Sequence, residues 1–222
     1  MTCHYCPKAS DGLYSGPMPA TLDAQEQETL RRQAKAALRK RLSALRCALP
    51  VQSVVDRSRR IVERLVEHPY LIGAKSVALF SAMPEKREVD LTELHERLSE
   101  RGLPIYYPFM DSTPGGHCTG FRLLRPGDNL AMRNQRFAEP DPGAPVALRG
   151  DLDLVIVPAL GITLQGYRLG FGAGYYDSML PDVCPPAKTI CVGYDFQRLI
   201  ELPVEPHDIR CDAVVTDADE PV

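Results

Sequence analysis

The sequence predicts an α/β fold of three layers, in which an open, mostly parallel sheet carries helices on both faces. Short apolar runs alternate with helical periodicities along the chain, as in folds whose strands are joined by crossover helices. Residues 153–158 are almost continuously apolar, which is typical of a strand in a parallel sheet that is covered on both sides. A leucine-rich stretch ahead of the first strand predicts, in addition, a long N-terminal helix.

The first helix is expected to begin near Asp23, since Asp23 and Glu26 form a capping signal, and to end at Pro50. Its apolar residues recur at helical spacing and predict a stripe that faces the core: Leu30, Ala34, Leu38, Leu42, Leu45 and Leu49. A second helix is predicted over residues 53–67, with these residues buried: Val54, Val55, Ile61, Val62, Leu65 and Val66.

The strands of the predicted sheet are short apolar runs at residues 76–80, 104–108, 118–124, 153–158, 189–192 and 213–216. The third of these runs is expected near an edge of the sheet. Helices are predicted over residues 91–101 and from about Tyr175. Residues 125–149 are rich in proline, glycine and charge, so we expect them to be mostly loop.

Length and composition favour a soluble globular protein with one main domain. With 222 residues, we expect a flexible extension over residues 1–20 and a single α/β domain over residues 21–222. The net charge of -3 gives no attraction to nucleic acid or to anionic membranes. No apolar run approaches the roughly 20 residues that span a bilayer, and residues 1–20 lack the apolar core of a signal peptide. We therefore expect a cytoplasmic protein with small-molecule partners, either a monomer or a weak homo-oligomer.

Cys3 and Cys6 have the CxxC spacing of some metal and redox sites. The pair lies in a tail rich in proline, glycine and serine, and no second CxxC or histidine pair follows at the distance of a zinc site. No function is assigned to it.

A glycine-rich segment, Gly166–Asp177, follows the apolar run that ends at Pro158. Four glycines allow the backbone to approach a ligand closely, and bared N–H groups at a helix start form a cradle for anions. Arg168 adds a guanidinium, and Asp177 adds a carboxylate able to hold a phosphate-bound magnesium ion. This combination predicts a nucleotide phosphate site, with an ordinary glycine-rich turn as the alternative.

The segment matches neither of the two commonest phosphate motifs. The chain contains no Gly-Lys-Ser/Thr tripeptide, which a Walker loop requires. The dinucleotide fingerprint needs a glycine where Tyr175 stands.

Residues 157–177 closely resemble the signature of the 5-formyltetrahydrofolate cyclo-ligase family. The resemblance covers most of residues 30–217 and includes further matches at residues 35–39, 88–90, 139–140, 202–208 and 212–216. It implies ATP- and magnesium-dependent conversion of 5-formyltetrahydrofolate to 5,10-methenyltetrahydrofolate, with release of ADP and phosphate. It also implies an α/β sheet related to the sugar-phosphate isomerase and CoA-transferase-like group.

The resemblance also implies roles for individual residues. The catalytic residues would be Arg168 and Asp177, and the magnesium ligands Asp177 and Asp208. ATP would be bound by Lys35, Arg39, Arg168, Leu169, Gly170, Phe171, Gly172, Ala173, Gly174, Tyr175 and Tyr176. The folate would be bound by Glu88, Phe171, Gly172, Ala173, Gly174 and Tyr175.

Without the resemblance, several of these residues have simpler interpretations. Lys35 and Arg39 would belong to a solvated basic face of the helix, Glu88 would be one exposed charge among several, and Asp208 would be a turn residue. Two other functions use the same scaffold: a phosphate isomerase or transferase without ATP hydrolysis, and a non-catalytic regulator that binds folate or nucleotide. The first lacks an obvious general base in the glycine segment.

Overall fold

The computed structural model describes residues 23–114, 116–133 and 137–218. The expected extension over residues 1–20, with Cys3 and Cys6, lies outside them. The helices are α1 (Ala24–Cys47), α2 (Val51–Val66), α3 (Pro69–Ile72), α4 (Thr92–Glu100) and α5 (Tyr175–Val183). The strands are β1 (Val77–Ala78), β2 (Ile105–Thr113), β3 (Gly116–Leu124), β4 (Ala131–Met132), β5 (Ala138–Glu139), β6 (Leu154–Pro158), β7 (Gly161–Thr163), β8 (Arg168–Leu169), β9 (Lys188–Val192), β10 (Arg198–Leu199) and β11 (Ala213–Val215).

The main sheet has the strand order β11-β9-β6-β1-β2-β3. Its neighbours are parallel except β2 and β3, which form an antiparallel pair at one edge. Strand β6 lies between β1 and β9, and this interior position explains why its sequence is apolar throughout. The mostly parallel sheet and the edge position of β3 confirm the sequence prediction.

Helices cover both faces of this sheet. On one face, α2 and α4 pack through Ile61, Leu65 and Leu94 against a core that includes Ile156. On the other face, α5 packs through Leu180 against the alternate residues of the same strands. The three predicted layers are therefore present. Among the described helices, none has the length and apolar composition of a membrane span.

Helix α2 begins at Val51, two residues before the predicted start, and the Val54 N–H donates to the carbonyl of the N-cap residue Pro50 at 3.2 Å. Ile61, Val62 and Leu65 are buried as expected. The prediction for Val55 is wrong, since this side chain is exposed.

The buried residues of helix α1 differ more from the sequence prediction than those of α2. Its start is confirmed: Glu26 N–H donates to Asp23 Oδ1 (2.7 Å), and Asp23 N–H donates to Glu26 Oε2 (3.0 Å). The predicted leucine stripe is wrong for Leu30 and Leu45, which are 50% and 47% exposed. It is confirmed for Leu42, which is buried, while Leu38 and Leu49 are partly buried against core clusters. The buried residues of α1 are Lys35, Leu42 and Arg46. The buried face of α1 therefore combines Leu42 with two basic side chains.

The small three-stranded sheet β10-β7-β8 was not predicted from the sequence. Its strands have two or three residues each, which is too short for a periodicity to show. The β7–β8 pair carries part of the glycine-rich segment, since Arg168 and Leu169 form β8 and only Gly170–Gly174 bridges to α5.

Candidate active site

A cavity of about 570 Å³ lies where the chain leaves the carboxyl ends of β1 and β6. Phe80 and Ser81 follow β1, and Pro158 and Ala159 mark the end of β6. Crevices outside the carboxyl ends of parallel strands are common ligand sites in open α/β sheets. Helix α1 and the glycine-rich segment close the other sides of this cavity.

Every residue that the sequence analysis nominated lines this one cavity. The set is Lys35, Arg39, Glu88, Arg168, Leu169, Gly170, Phe171, Gly172, Ala173, Gly174, Tyr175, Tyr176, Asp177 and Asp208. Four chain segments that lie far apart in sequence therefore converge, and their individual roles remain predictions.

The bridge Gly170–Gly174 is shaped for close approach by its glycines. Gly172 has φ 97°, and a Cβ there would lie 3.2 Å from Cζ of Arg39. Gly174 has φ 69° and is the N-cap of α5. These left-handed conformations favour glycine, so the loop needs it at both positions. Residues 171–174 are exposed, and the loop leads directly into the N-terminus of a nine-residue helix.

Basic side chains surround this loop. Arg39 Nε donates to the carbonyl of Gly170 at 3.0 Å. Arg168 is buried and donates from Nη2 to Asp177 Oδ1 (2.6 Å) and from Nη1 to the carbonyl of Ile209 (2.7 Å). The Ile209 N–H donates to Asp177 Oδ1 at 3.3 Å. Within the described chain both bonds to Asp177 end on Oδ1, which leaves Oδ2 for a cation.

Lys35 points from α1 toward a cluster of carboxylates. Its Nζ donates to Asp208 Oδ2 at 2.8 Å and also to Glu205. Burial disfavours the charged amine, but the bonds and charges of Asp208 and Glu205 outweigh this and raise the pKa of Lys35. The exposed-basic-face alternative is therefore wrong for Lys35, which is buried, and Asp208 is more than a turn residue.

Glu205, His207 and Asp208 place ligand atoms within 4.8 Å of one another. This is a donor set for a metal ion, and its carboxylate oxygens suit a hard cation. Sequence reasoning nominated Asp208 alone and gave no role to any histidine. Asp177, the second predicted ligand, lines the same cavity but does not belong to this cluster.

Glu88 is 4% exposed, so the exposed-charge alternative is wrong for it as well. The Met83 N–H donates to its Oε2 at 2.9 Å, and Arg46 Nη2 lies 3.6 Å from its Oε1. Burial raises the pKa of Glu88 against the bond from Met83 and the charges of Arg46 and Lys86. A carboxylate held this way offers an acceptor to N–H groups of a ligand.

Two further features mark the wall of the cavity. The hydroxyl of Tyr176 is buried and has no hydrogen-bond partner within the described chain. An orphaned buried hydroxyl is costly, so a ligand group is the natural partner for it. The rings of Tyr175 and Phe137 meet edge to face, with centroids 6.2 Å apart.

Sequence reasoning missed Arg46, Glu205 and His207. A signal for Arg46 was present, because Lys35, Arg39, Leu42 and Arg46 recur at steps of four, three and four residues. This spacing defines one helix face, but the buried face was predicted from the spacing of the leucines instead. Glu205 and His207 lie within three residues of Asp208 and carried no separate signal.

Comparisons with known proteins identify the family of the chain. The model of the 5-formyltetrahydrofolate cyclo-ligase family matches residues 31–217. A 5-formyltetrahydrofolate cyclo-ligase of Escherichia coli strain K12 is 32% identical over 174 residues, which cover 77% of this chain and 93% of that protein. One from Mycolicibacterium smegmatis is 39% identical over 92 residues, and here the match spans 41% of this chain and 47% of the relative.

A search of solved structures finds the same family. The NMR structure of a 5,10-methenyltetrahydrofolate synthetase from Aquifex aeolicus superimposes with a TM-score of 0.71 at 30% identity. The superposition covers 83% of this chain and 90% of that chain. Because the family model spans most of the sequence and the fold agrees, the chain belongs to the 5-formyltetrahydrofolate cyclo-ligase family and is a ligase.

Proposed function

We propose that this ligase closes the ring of 5-formyltetrahydrofolate to give 5,10-methenyltetrahydrofolate while ATP is converted to ADP and phosphate. The observation that carries the proposal is that Lys35, Arg39 and Arg168 line one cavity together with an exposed glycine loop and the buried acceptor Glu88. Cations around bared N–H groups fit a polyphosphate, and a buried carboxylate fits a heterocycle that carries N–H donors.

The chemistry explains why a nucleotide is needed. A formamide carbon is a weak electrophile, because its nitrogen donates electrons into the carbonyl group. Attack of the formyl oxygen on the γ-phosphorus of ATP forms an O–P bond, breaks the bond to ADP and leaves an imidate phosphate. Attack by N10 on the activated carbon, loss of the N10 proton and departure of phosphate then close the ring. Such a sequence asks the protein mainly for positioning and charge neutralisation.

The phosphate side of the cavity meets that demand. Arg168 is fixed in direction by its bonds to Asp177 and to the carbonyl of Ile209, so little rearrangement is needed to present its charge. Arg39 is fixed similarly by the carbonyl of Gly170. We assign both side chains, together with Lys35, to the phosphates of ATP, and the backbone of residues 168–176 to the cradle around them.

The carboxylates in the cavity fit a magnesium ion. Asp177 and Asp208 line the same space, and Glu205 and His207 stand beside Asp208. We assign Mg²⁺ to Asp177 and Asp208, because carboxylate oxygens are the protein ligands that this ion prefers. When bound, the ion would neutralise phosphate charge.

On the folate side, we assign Glu88 to the N–H groups of the pterin. Residues 171–175 belong to the phosphate cradle and line the same cavity as Glu88, so we assign them to both substrates. Tyr176 supplies a buried hydroxyl that a bound ligand would satisfy. With these assignments, the formyl group and the γ-phosphate would meet at this loop.

A coupled assay tests the proposal. The purified chain is incubated with 5-formyltetrahydrofolate, ATP and Mg²⁺, and methenyltetrahydrofolate and ADP are followed together. We expect the two products in equal amounts, and neither when ATP is omitted. An Arg168→Ala variant purified in parallel controls for contaminating ligase and should lose most of the activity. Tight folate binding without product would refute the proposal and favour a non-catalytic regulator.

A further inference from the structure

Arg46 lies in the last turn of α1 and is 2% exposed, behind the wall of the cavity. Its Nε donates to the carbonyl of Lys86 at 2.7 Å, and its Nη1 donates to the carbonyl of Ala159 at 3.4 Å. Lys86 belongs to the short 3₁₀-helix Pro84–Lys86, and Ala159 follows β6. One guanidinium therefore joins two segments that border the site.

The third arm of this guanidinium points at Glu88. Nη2 lies 3.6 Å from Glu88 Oε1, and both side chains are 3% exposed. Within the described chain Nη2 has no hydrogen-bond partner, although it is buried. Because the guanidinium is planar and rigid, the two bonds to carbonyl groups fix the direction of Nη2. The carboxylate thus faces a cation that is held from elsewhere.

Arg46 also contacts the glycine loop. Its Cζ lies 5.1 Å from the centroid of the Phe171 ring, and Nζ of Lys86 lies 4.4 Å from the same centroid. Cation–π attraction of this kind holds an aromatic ring that is otherwise 42% exposed. Arg46 therefore contacts both Glu88 and Phe171, two residues assigned to the folate.

We infer that Arg46 is a positioning residue for the proposed reaction: its guanidinium holds the Glu88 carboxylate in the direction of the N–H donors of the folate. The inference rests on the proposed function, since it assumes that Glu88 meets the folate. Arg46 itself does not line the cavity, so it acts through Glu88 and Phe171.

The charges around Glu88 decide its ionisation. Burial raises the pKa of Glu88, and the nearby cations oppose this rise. Titratable and charged side chains face Glu88 from several segments: Arg46, Glu85, Lys86, Tyr176 and Tyr194. Of the two cations among them, only Arg46 is buried with Glu88. Loss of Arg46 must therefore raise the pKa of Glu88 further, because a buried carboxylate then has less compensation.

The test compares wild type with Arg46→Met, Arg46→Lys, Glu88→Gln and the double variant Arg46→Met/Glu88→Gln. For Arg46→Met we expect the KM for 5-formyltetrahydrofolate to rise about ten- to a hundredfold and the KM for ATP to change little. The acidic limb of the kcat/KM profile for folate should move to higher pH. In the Glu88→Gln background the same Arg46→Met change should add little, because its target carboxylate is gone.

Arg46→Lys keeps the charge but cannot make the fork of bonds, so it separates charge from direction. We expect a smaller rise in the folate KM with the acidic limb near its wild-type position. If Arg46→Met does not fold, Arg46→Lys alone tests whether Arg46 positions Glu88. An unchanged folate KM in Arg46→Lys would then overturn the inference. Arg41→Met, an exposed arginine on the same helix, is the matched control and should leave all constants unchanged.

Additive effects of Arg46→Met and Glu88→Gln, or an acidic limb that stays in place in Arg46→Met, would show that Arg46 is merely structural. Failure of the proposed function is distinguishable, since it appears as a wild-type protein without turnover. In that case calorimetric titration with 5-formyltetrahydrofolate decides on Arg46: the same loss and the same non-additivity are expected in the binding constants.

Discussion

Helices α1 and α2 follow each other along the chain but bury opposite kinds of side chain. In α1 the buried residues include Lys35 and Arg46, whereas α2 buries Ile61, Val62 and Leu65. Both helices carry apolar residues at helical spacing, so their sequences look alike in this respect. The difference teaches that α2 faces the core of the sheet, while α1 faces the site.

Burial of a charge is expensive unless a partner compensates it. Each buried cation of α1 has such partners: Lys35 donates to Asp208 at 2.8 Å, and Arg46 donates to the carbonyl of Lys86 at 2.7 Å. All of these partners belong to segments around the cavity. We therefore expect substitutions of the buried cations of α1 to alter ligand binding, and those of the buried apolar residues of α2 to alter folding stability.

The largest effect is expected at Leu65 in α2. Leu65→Ala removes a fully buried side chain from the core and should lower the free energy of unfolding by about 2–5 kcal/mol. The KM values of the folded protein should not change, because Leu65 does not line the cavity. Denaturant unfolding and steady-state kinetics measure the two quantities, with the exposed Val55→Ala as control. Similar losses of stability in both variants would contradict a core-facing α2.

A smaller effect, of another kind, is expected at Lys35 in α1. Lys35→Met removes a cation assigned to the phosphates and should raise the KM for ATP about ten- to a hundredfold, as for the loss of one charge-assisted contact. The free energy of unfolding should change less than in Leu65→Ala, because water reaches the carboxylates that lose their partner. Lys40→Met, exposed on the same helix, is the control. A large loss of stability with an unchanged KM for ATP would make α1 a core helix after all.

The comparison also shows how much of the fold the sequence could predict. The strands of the main sheet were found because each interior strand is an apolar run, as Leu154–Pro158 illustrates. The strands β7, β8 and β10 are too short to carry a pattern. In α1 the predicted leucine stripe and the observed buried face, Lys35, Leu42 and Arg46, share only Leu42. Periodicity locates a helix face, but only tertiary contacts decide which of two faces is buried.

The site was predictable where its residues form one continuous segment. Residues 168–177 carry their chemistry in a compact pattern, and the cavity includes all of them. Arg46 was not found because buried arginines are rare and α1 carries many exposed ones. The place of Glu205 in the site is visible only through its ion pair with Lys35, which lies 170 residues away in sequence. Contacts of that range depend on the fold and leave no local signal.

The smallest expected effect tests the α1 half of the comparison most directly. Leu42 and Leu45 stand three residues apart on α1, and Leu42 is 4% exposed while Leu45 is 47% exposed. Leu42 packs against Leu160 and Leu169 below the glycine loop. The same chemical change at the two positions therefore tests which part of the predicted leucine stripe is buried.

For Leu45→Ala we expect a change of less than about 0.5 kcal/mol in the free energy of unfolding, since the side chain is half in water. Leu42→Ala should cost about 2–5 kcal/mol, as for other buried leucines, and is the positive control. Urea titrations of both variants under the same conditions provide the measurement. Equal losses at the two positions would mean that α1 buries its leucine stripe, and that the inward placement of Lys35 and Arg46 is wrong.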